Sequence, residues 1–480
     1  GNKVRTIDAK NYATAFMFDK LDRQVRTTFE SVGISQGQRW DQAGRLLSQT
    51  NGEGETVRYD YDLRGNLIKT TQPLGQSTRA GYDAFNRKVV EVDGNGALAT
   101  WKYDYFGQLQ GHSDIGGANY AYSYDNARQL VAQSNSRGQN RVYGYDAAGQ
   151  QTRIQDSAIG QTSSYRYDLS GRRVREVTVK GNVTYQDNHI AYDALGRMRW
   201  VSDARAVLTI DYDKVGNRTH IHTHVNDADV STLPPDSDRY YQYDAMNRQT
   251  LVDSATADGS YLGPDGHRLT YDYNGLRTSD RHEGIRIVQQ GDGQWVAQAG
   301  GETEEVYGYD GMNRLTCTTR DGTVVDSRSY DGASRVLASG VGGLDPQYTA
   351  LHTQYQGVTG SDPLQMRQSQ YDDNGRLVYQ STLAHVSPLV SPSGQSFSGV
   401  GYTYDDAGNV LGYITANADP ANPTFVTTTN TLQRAEGYRQ LTSFSQSRSA
   451  TTGAAGPQGL VGYNYDVNGF LTHTGDPGNQ

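Results

Sequence analysis

The residues of this 480-residue chain best equipped for chemistry are three histidines at alternate positions, His220-Ile221-His222-Thr223-His224. Alternate residues on a strand share a face and lie roughly 6.5 to 7 Å apart, so two of these imidazoles can share a divalent metal with Asp227 or Asp229 nearby in sequence. Zinc sites want a converging tetrahedral set, whereas a strand presents a ladder. The sequence therefore favours a polar face, exposed or lumenal, over a metal centre, and no metal ligand is assigned. Cys317 is the sole cysteine, which excludes an intrachain disulfide and a cysteine-based metal site. With no activating histidine near it in sequence, it reads as an inert, partly buried thiol. No phosphate-binding Gly-rich loop ending in Lys-Ser/Thr and no His-Glu-x-x-His is present. No catalytic residue, cofactor-binding residue or cofactor is expected.

What must position these groups is a repeat. Tyr61-Asp62-Leu63-Arg64-Gly65-Asn66-Leu67 recurs as Tyr-Asp-x-x-Gly/Asn-Arg/Asn/Gln-apolar, with its aromatic at Trp40, Tyr61, Tyr82, Tyr103, Tyr124 and Tyr145, five successive intervals of 21 residues. Further copies start at Tyr167, Tyr192, Tyr212, Tyr243, Tyr271, Tyr309, Tyr330, Tyr371, Tyr404 and Tyr465, and a Phe18-Asp19 variant in front brings the count to 17. A fixed period of this size specifies an array of one supersecondary unit. The expected organisation is a single array over 1–480, regular over 18–191 and carrying longer insertions over 192–480. The recurring aspartates (Asp62, Asp83, Asp104, Asp125, Asp146, Asp168 and onward) look like a carboxylate array for calcium or glycoside chemistry. A residue present in every unit at a turn position is better explained by backbone hydrogen bonding, since a catalytic pair needs two unlike environments.

Inside a repeat, aromatics alternate before the Asp, as in Tyr120, Tyr122 and Tyr124 or Tyr402 and Tyr404. That period of two predicts a strand with one aromatic face. Asp-x-x-Gly is turn chemistry, in which the carboxylate accepts N–H bonds two residues on and Gly or Asn takes the positive φ that ends a type I turn with a bulge. A strand resumes at Leu46, Leu67, Leu109, Leu130, Leu315, Leu377 or Leu471. Between motifs, Gly52-Glu53-Gly54, Pro73-Leu74-Gly75, Asp93-Gly94-Asn95-Gly96, Gly116-Gly117 and Arg137-Gly138 supply a second turn. Two strands per unit predict about 34 strands, on the order of 160 Å of open sheet at ~4.8 Å each. Twisted open sheets rarely exceed ~10 strands without curling, so the strip should coil into a spiral or closed shell.

Composition agrees with many short strands and tight turns: 35 Tyr, 55 Gly and 35% hydrophobic residues. Apolar runs are a few residues long, so none spans a bilayer, and no signal segment opens the chain. The net charge of −9 with scattered basic residues leaves no footprint for nucleic acid. Lysines number only eight, and the arginines that replace them can lie flat on neighbouring Tyr rings. A compositional bias accounts for the same skew. The Tyr rows read first as cross-strand packing, and second as stacking platforms for glycans.

The motif, its period and its Tyr-x-Tyr-Asp lead resemble the Rhs/YD-repeat family, which includes bacterial Rhs polymorphic toxins, the B and C subunits of insecticidal Tc toxins, and the teneurins. The resemblance implies an all-β fold, an antiparallel sheet strip spiralling into a hollow cocoon. It further implies a structural role, with no enzyme activity in this segment. In that reading a secreted bacterial protein sequesters its own C-terminal toxin or cargo domain, which is not in this chain, until a secretion system delivers it. Other shell-forming segments and the delivery machinery are then the partners. The alternative is an extracellular adhesin or glycan-binding shell of teneurin-like role. Gly1-Asn2 fits the Gly-Asn of a preceding motif and Gly475-Asp476-Pro477-Gly478 stops in an inter-repeat turn, so both ends read as cut and the shell as partial. Family members with a toxin commonly carry an Asp-Pro-x-Gly pair for aspartyl self-cleavage. Here only Asp476-Pro477-Gly478 is similar, and self-cleavage is not expected from it.

Three insertions interrupt the later repeats, from Asn226 to Asp238, Val341 to Gln370 and Ser381 to Gly399. They read as longer hairpins or loops crossing the spiral, or as tolerated solvent-exposed loops. Gly437-Tyr438-Arg439-Gln440-Leu441 falls where a decayed copy of the motif is expected.

Overall fold

The computed structural model describes residues 1–115, 117–226, 236–254, 266–289, 295–340, 367–382, 389–390, 396–397, 399–419, 422–434, 441–450, 459–465 and 471–475. Among them the chain is all-β, with 37 strands in one sheet, three more than two per motif predicts, and a separate ribbon pairing Leu389–Val390 with Ser396–Phe397. Described pairings are antiparallel and join consecutive strands, apart from Leu377–Thr382, which skips the ribbon to pair with Gly399–Tyr404. The chain divides into two compact units, one of Gly1–Ala121, Gly308–Thr318 and Thr323–Gln480, the other of Tyr122–Tyr307 and Thr319–Gly322.

The motif turn forms as its residue types dictate. Asp62 Oδ1 accepts the N–H groups of Arg64 and Asn66, both at 2.9 Å. Its own N–H donates to the Asn66 carbonyl, and its carbonyl accepts the Gly65 N–H. Gly65 sits at φ +90°, where an L side chain crowds its carbonyl. Tyr61 then pairs with Leu67 across a register shift between Asp60 and Tyr61, which is the bulge the motif requires. The inter-repeat turn uses the same bonding, with Asn51 Oδ1 accepting from Glu53 and Glu55 and Asp93 Oδ1 from Asn95 and Ala97. One turn chemistry thus closes both edges of the strip.

Burial is shallow. The buried apolar residues among those described are Ala13, Ala99, Ala118, Ile210, Leu251, Ala338 and Val400, and more polar residues than these are equally buried, Asp253 and Ser327 among them. A sheet without a thick apolar core must draw its cohesion from backbone ladders and from contacts between successive repeats.

Extra residues lengthen hairpins. The 38-residue interval before Tyr309 is taken up by Arg277–Gln289 and Trp295–Tyr309, paired from Ser279↔Val306 to Gln289↔Trp295. Asn422–Arg434 and Leu441–Ala450 form a hairpin around the decayed copy, whose residues 437–440 lie outside the described residues. So do 227–235, 341–366, 383–388 and 391–395, which hold most of the three insertions.

Replacing Gly65 by Ala should lower the stability of its hairpin by about 1–2 kcal/mol, while Gly65→Asn should cost less, because Asn86 occupies the equivalent position at φ +62°. Amide exchange across Thr56–Tyr61 and Leu67–Thr71 measures both.

Candidate functional site

Among the described residues, most repeats are latched to the one before through the motif tyrosine. Tyr61 Oη donates to the Leu46 carbonyl at 2.9 Å, Tyr82 to Leu67 at 3.0 Å, Tyr145 to Leu130 at 2.8 Å and Tyr330 to Leu315 at 2.7 Å. Trp40 does the same with its indole N–H, on the Gln24 carbonyl. The motif arginine ties in the opposite direction. Arg45 Nε binds its own Asp41 at 2.6 Å, its Nη1 reaches the Asp62 carbonyl of the next turn at 2.9 Å, and its guanidinium lies 5.3 Å from the Tyr61 ring. Arg197, Arg248, Arg314 and Arg376 repeat this triple contact on the following motif. Asn66 substitutes for Arg by bridging Asp62 Oδ2 and Asn86 Oδ1, both at 2.9 Å. The Asp is therefore bonded as an anion. The Arg172 backbone N–H, then its guanidinium, hold Asp168 below the usual carboxylate range, and the Asn66 side-chain amide does so for Asp62.

Within the first unit the two edges of the strip meet. Glu53 accepts the Gly332 N–H, Glu55 takes Arg335 at 2.8 Å, and Arg335 also binds Asp331. Next along, Asn374 donates to Gln76 at 2.8 Å and accepts from the Leu74 N–H at 3.0 Å. Then Asn95 donates to Asp405 at 2.9 Å and accepts from the Ala407 N–H at 3.1 Å. On one side are three inter-repeat turns, Gly52, Pro73 and Gly94 each 21 residues apart; on the other are motif turns at Asp331, Asp372 and Asp405, spaced 41 and 33. The facing turns follow the fifth and twenty-eighth strands, then the seventh and thirtieth, 23 described strands apart in both cases. Register along this seam is thus counted in repeats, and inserted residues do not shift it. Contact is close enough that a Cβ on Gly52 would collide with the Gly332 carbonyl, and one on Gly94 with that of Asp406. Motif turns in the seam carry small or polar residues such as Gly332, Ala333, Asn374 and Ala407, whereas Leu63, Phe85 and Tyr105 stand exposed at the same turn positions elsewhere.

The histidine ladder lies on Arg218–Val225, between Ala206–Tyr212 and Asp236–Tyr243. His222 faces Asp238, His224 faces Asp236, and His220 faces Tyr240 on one side and Asp211 on the other. Asp238 Oδ1 is shared by His220 Nε2 at 2.8 Å and His222 Nδ1 at 2.9 Å, and His224 Nδ1 meets Asp236 at 2.6 Å. Tyr240 stacks on His220 with centroids 4.6 Å apart. Hydrogen bonds from His222, then His220, keep Asp238 below its ordinary value. Asp227 and Asp229 lie outside the described residues. The ladder is a cross-strand polar network whose carboxylates come from the neighbouring strands.

An RHS Repeat family model matches residues 40–76, 61–98 and 145–183, all within the regular stretch. The chain carries Rhs/YD repeats. The Tc holotoxin pore of Photorhabdus luminescens with a mutated TccC3 aligns over 96% of this chain and 24% of that one, at 14% identity and TM-score 0.68, which shows a shared fold. A TcdB2–TccC3 crystal structure aligns over 95% of this chain and 28% of that one, at 14% identity and TM-score 0.42. This Rhs/YD chain spans about a quarter of the length of either structure. No curated protein matches its sequence.

Nucleophile chemistry finds little support in the Rhs/YD strip. Burial, then Asp326, pushes the Cys317 thiol up. No Gly-x-Ser-x-Gly nucleophile elbow is expected from the sequence; as a correction to that expectation, Gly33-Ile34-Ser35-Gln36-Gly37 has that spacing. It runs into the strand Ile34–Trp40 with no helix after it, and Ser35 Oγ is hydrogen-bonded to Thr28 Oγ1 at 2.9 Å.

A double-mutant cycle with Glu55→Gln and Arg335→Gln should give a coupling of about 1–3 kcal/mol, read from amide exchange in Val336–Gly340. Additive effects would mean the seam pair is not formed. The depressed aspartates stabilise the fold fully above their unfolded value of about 3.8 and lose that contribution as pH falls through their lower folded values. Circular dichroism should therefore show an intact sheet at pH 5 and loss of structure only below about pH 3.8.

Proposed function

We propose that this Rhs/YD chain is part of the wall of a container in which a secreted bacterial protein sequesters its own C-terminal toxin or cargo domain until a secretion system delivers it. The observation that carries this reading is the seam. Within the first unit the motif turns of the strip meet its inter-repeat turns, one repeat set against one repeat. Polar latching and the shallow burial suit a wall better than a globule. The fold shared with a Tc holotoxin component supports the same reading. The wall's task is confinement, so the chain itself acts without catalysis, and its partners are the confined polypeptide, further shell-forming segments and the delivery apparatus. Among the described residues, no helix is long and apolar enough to cross a membrane.

The exposed row Leu63, Phe85 and Tyr105 favours a second reading, an extracellular adhesin that engages a partner or glycan along this edge. The two are separated by expressing the full reading frame and following limited proteolysis of the segment downstream of this chain. Confinement predicts that this segment survives about tenfold longer or more than when expressed alone, and that Gly52→Leu in the seam shortens its lifetime. Cleavage at the rate of the isolated segment would sink the container reading.

A further inference from the structure

In the second unit, His267 on the strand His267–Tyr271 lies directly opposite His282 on the strand Arg277–Gln289. Asp280, two residues before His282, projects from the same face. His267 Nδ1 is 2.9 Å from Asp280 Oδ1, and His282 Nδ1 is 3.9 Å from the same oxygen. The rings are 5.3 Å apart and tilted by 30°. One ligand atom from each of the three residues lies within 4.8 Å of the other two. We propose that His267, Asp280 and His282 bind a borderline divalent transition-metal ion of the zinc type.

Three features beyond the cluster itself point to an ion. The His282 Nδ1 is buried and without a hydrogen-bond partner, which is a cost that a metal bond removes. Asp280 is buried, at 7% exposure, and its second oxygen is held by Arg277 Nη1 at 3.3 Å, so the carboxylate is oriented as a metal-ligating carboxylate is by its outer neighbours. Arg277 is fixed in turn over the Tyr307 ring at 4.7 Å. Glu305, across the sheet from Asp280, is occupied by Arg320 and by the Tyr307 hydroxyl, and so does not compete for the place. The His267 side chain is 42% exposed, which leaves an entry path and room for water as a fourth ligand. Two imidazoles and one carboxylate suit zinc, cobalt or nickel, and are too nitrogen-rich for calcium or magnesium. The ladder of His220, His222 and His224 differs in that Asp238 lies between its rings and already takes a hydrogen bond from two of them.

The test uses untagged protein freed of metal by chelation, titrated with zinc by calorimetry and with cobalt by visible absorption. One zinc per chain, and d–d bands from cobalt that zinc abolishes, are expected. His267→Ala and His282→Ala should each weaken zinc binding at least about tenfold, Asp280→Asn should do likewise, and His222→Ala should leave both signals unchanged. Circular dichroism of each variant separates a lost ligand from a lost fold, and the cobalt spectrum of the unaltered chain decides the matter independently. No cobalt bands, or zinc binding that survives His282→Ala and disappears in His222→Ala, would overturn the assignment.

Discussion

The junction of Asp, Arg and Tyr between successive repeats is what the rest of this molecule depends on. A single-layer sheet buries little apolar surface, and the few buried apolar residues among those described are mostly alanines. Backbone ladders alone leave such a sheet free to slip, because a shift by one residue is resisted only where one face is buried. The tyrosine hydroxyl and the arginine fork remove that freedom. Tyr82 can reach the Leu67 carbonyl in one register only, and Arg87 must satisfy Asp83 while lying on the Tyr103 ring at 4.6 Å. Each such hydrogen bond contributes about 1 kcal/mol and each cation–π contact about 0.5–1 kcal/mol. Repetition makes these small terms the nearest-neighbour coupling of a linear array.

The same constraint explains the tolerance of insertions. Because coupling runs from motif to motif, residues added at the far end of a hairpin disturb neither partner. Tyr371 Oη finds the Val336 carbonyl at 3.0 Å although 35 residues separate them, where Tyr330 needs 15 to reach Leu315. The seam inherits this indifference to residue count. Its composition follows from geometry too, since turns that meet backbone to backbone admit Gly332 and Gly52 but not the Leu63 or Phe85 of other motif turns.

Period, turn and bulge were legible in the sequence because each is a local consequence of residue type. Asp62-x-x-Gly65 has only a few residues in which to satisfy itself, and alternation of Tyr120, Tyr122 and Tyr124 has one simple reading. Partners across the sheet were not legible. The tyrosine hydroxyls accept no role from the period, yet find carbonyls some 15 residues back. Proximity in sequence points the histidine ladder to Asp227 and Asp229, whereas register supplies Asp236 and Asp238 from the adjoining strand. Pairing of Glu55 with Arg335 spans 280 residues and has no local signature. Asp280-Arg281-His282 shows a shared face by spacing alone, but His267 joins it only once the hairpin register is fixed.

The distribution of histidine–carboxylate contacts has a mechanical reason in the same terms. Among the described residues, His189 with Asp187, His220 and His222 with Asp238, His224 with Asp236 and His267 with Asp280 all fall beyond Tyr167, where the 21-residue period breaks. Strands there are longer, reaching 10 residues in Val183–Tyr192 and 13 in Arg277–Gln289, while the latches stay at the motif ends. A longer strand leaves more of its length beyond the reach of a tyrosine or arginine latch. Paired imidazoles and carboxylates fill that span with cross-strand bonds, and at His267, Asp280 and His282 they converge closely enough for one ion to serve as the bond. Stiffening by latch in the short repeats and by polar side-chain pairs in the long ones are two solutions to one problem, holding register in a sheet that has no thick core to hold it.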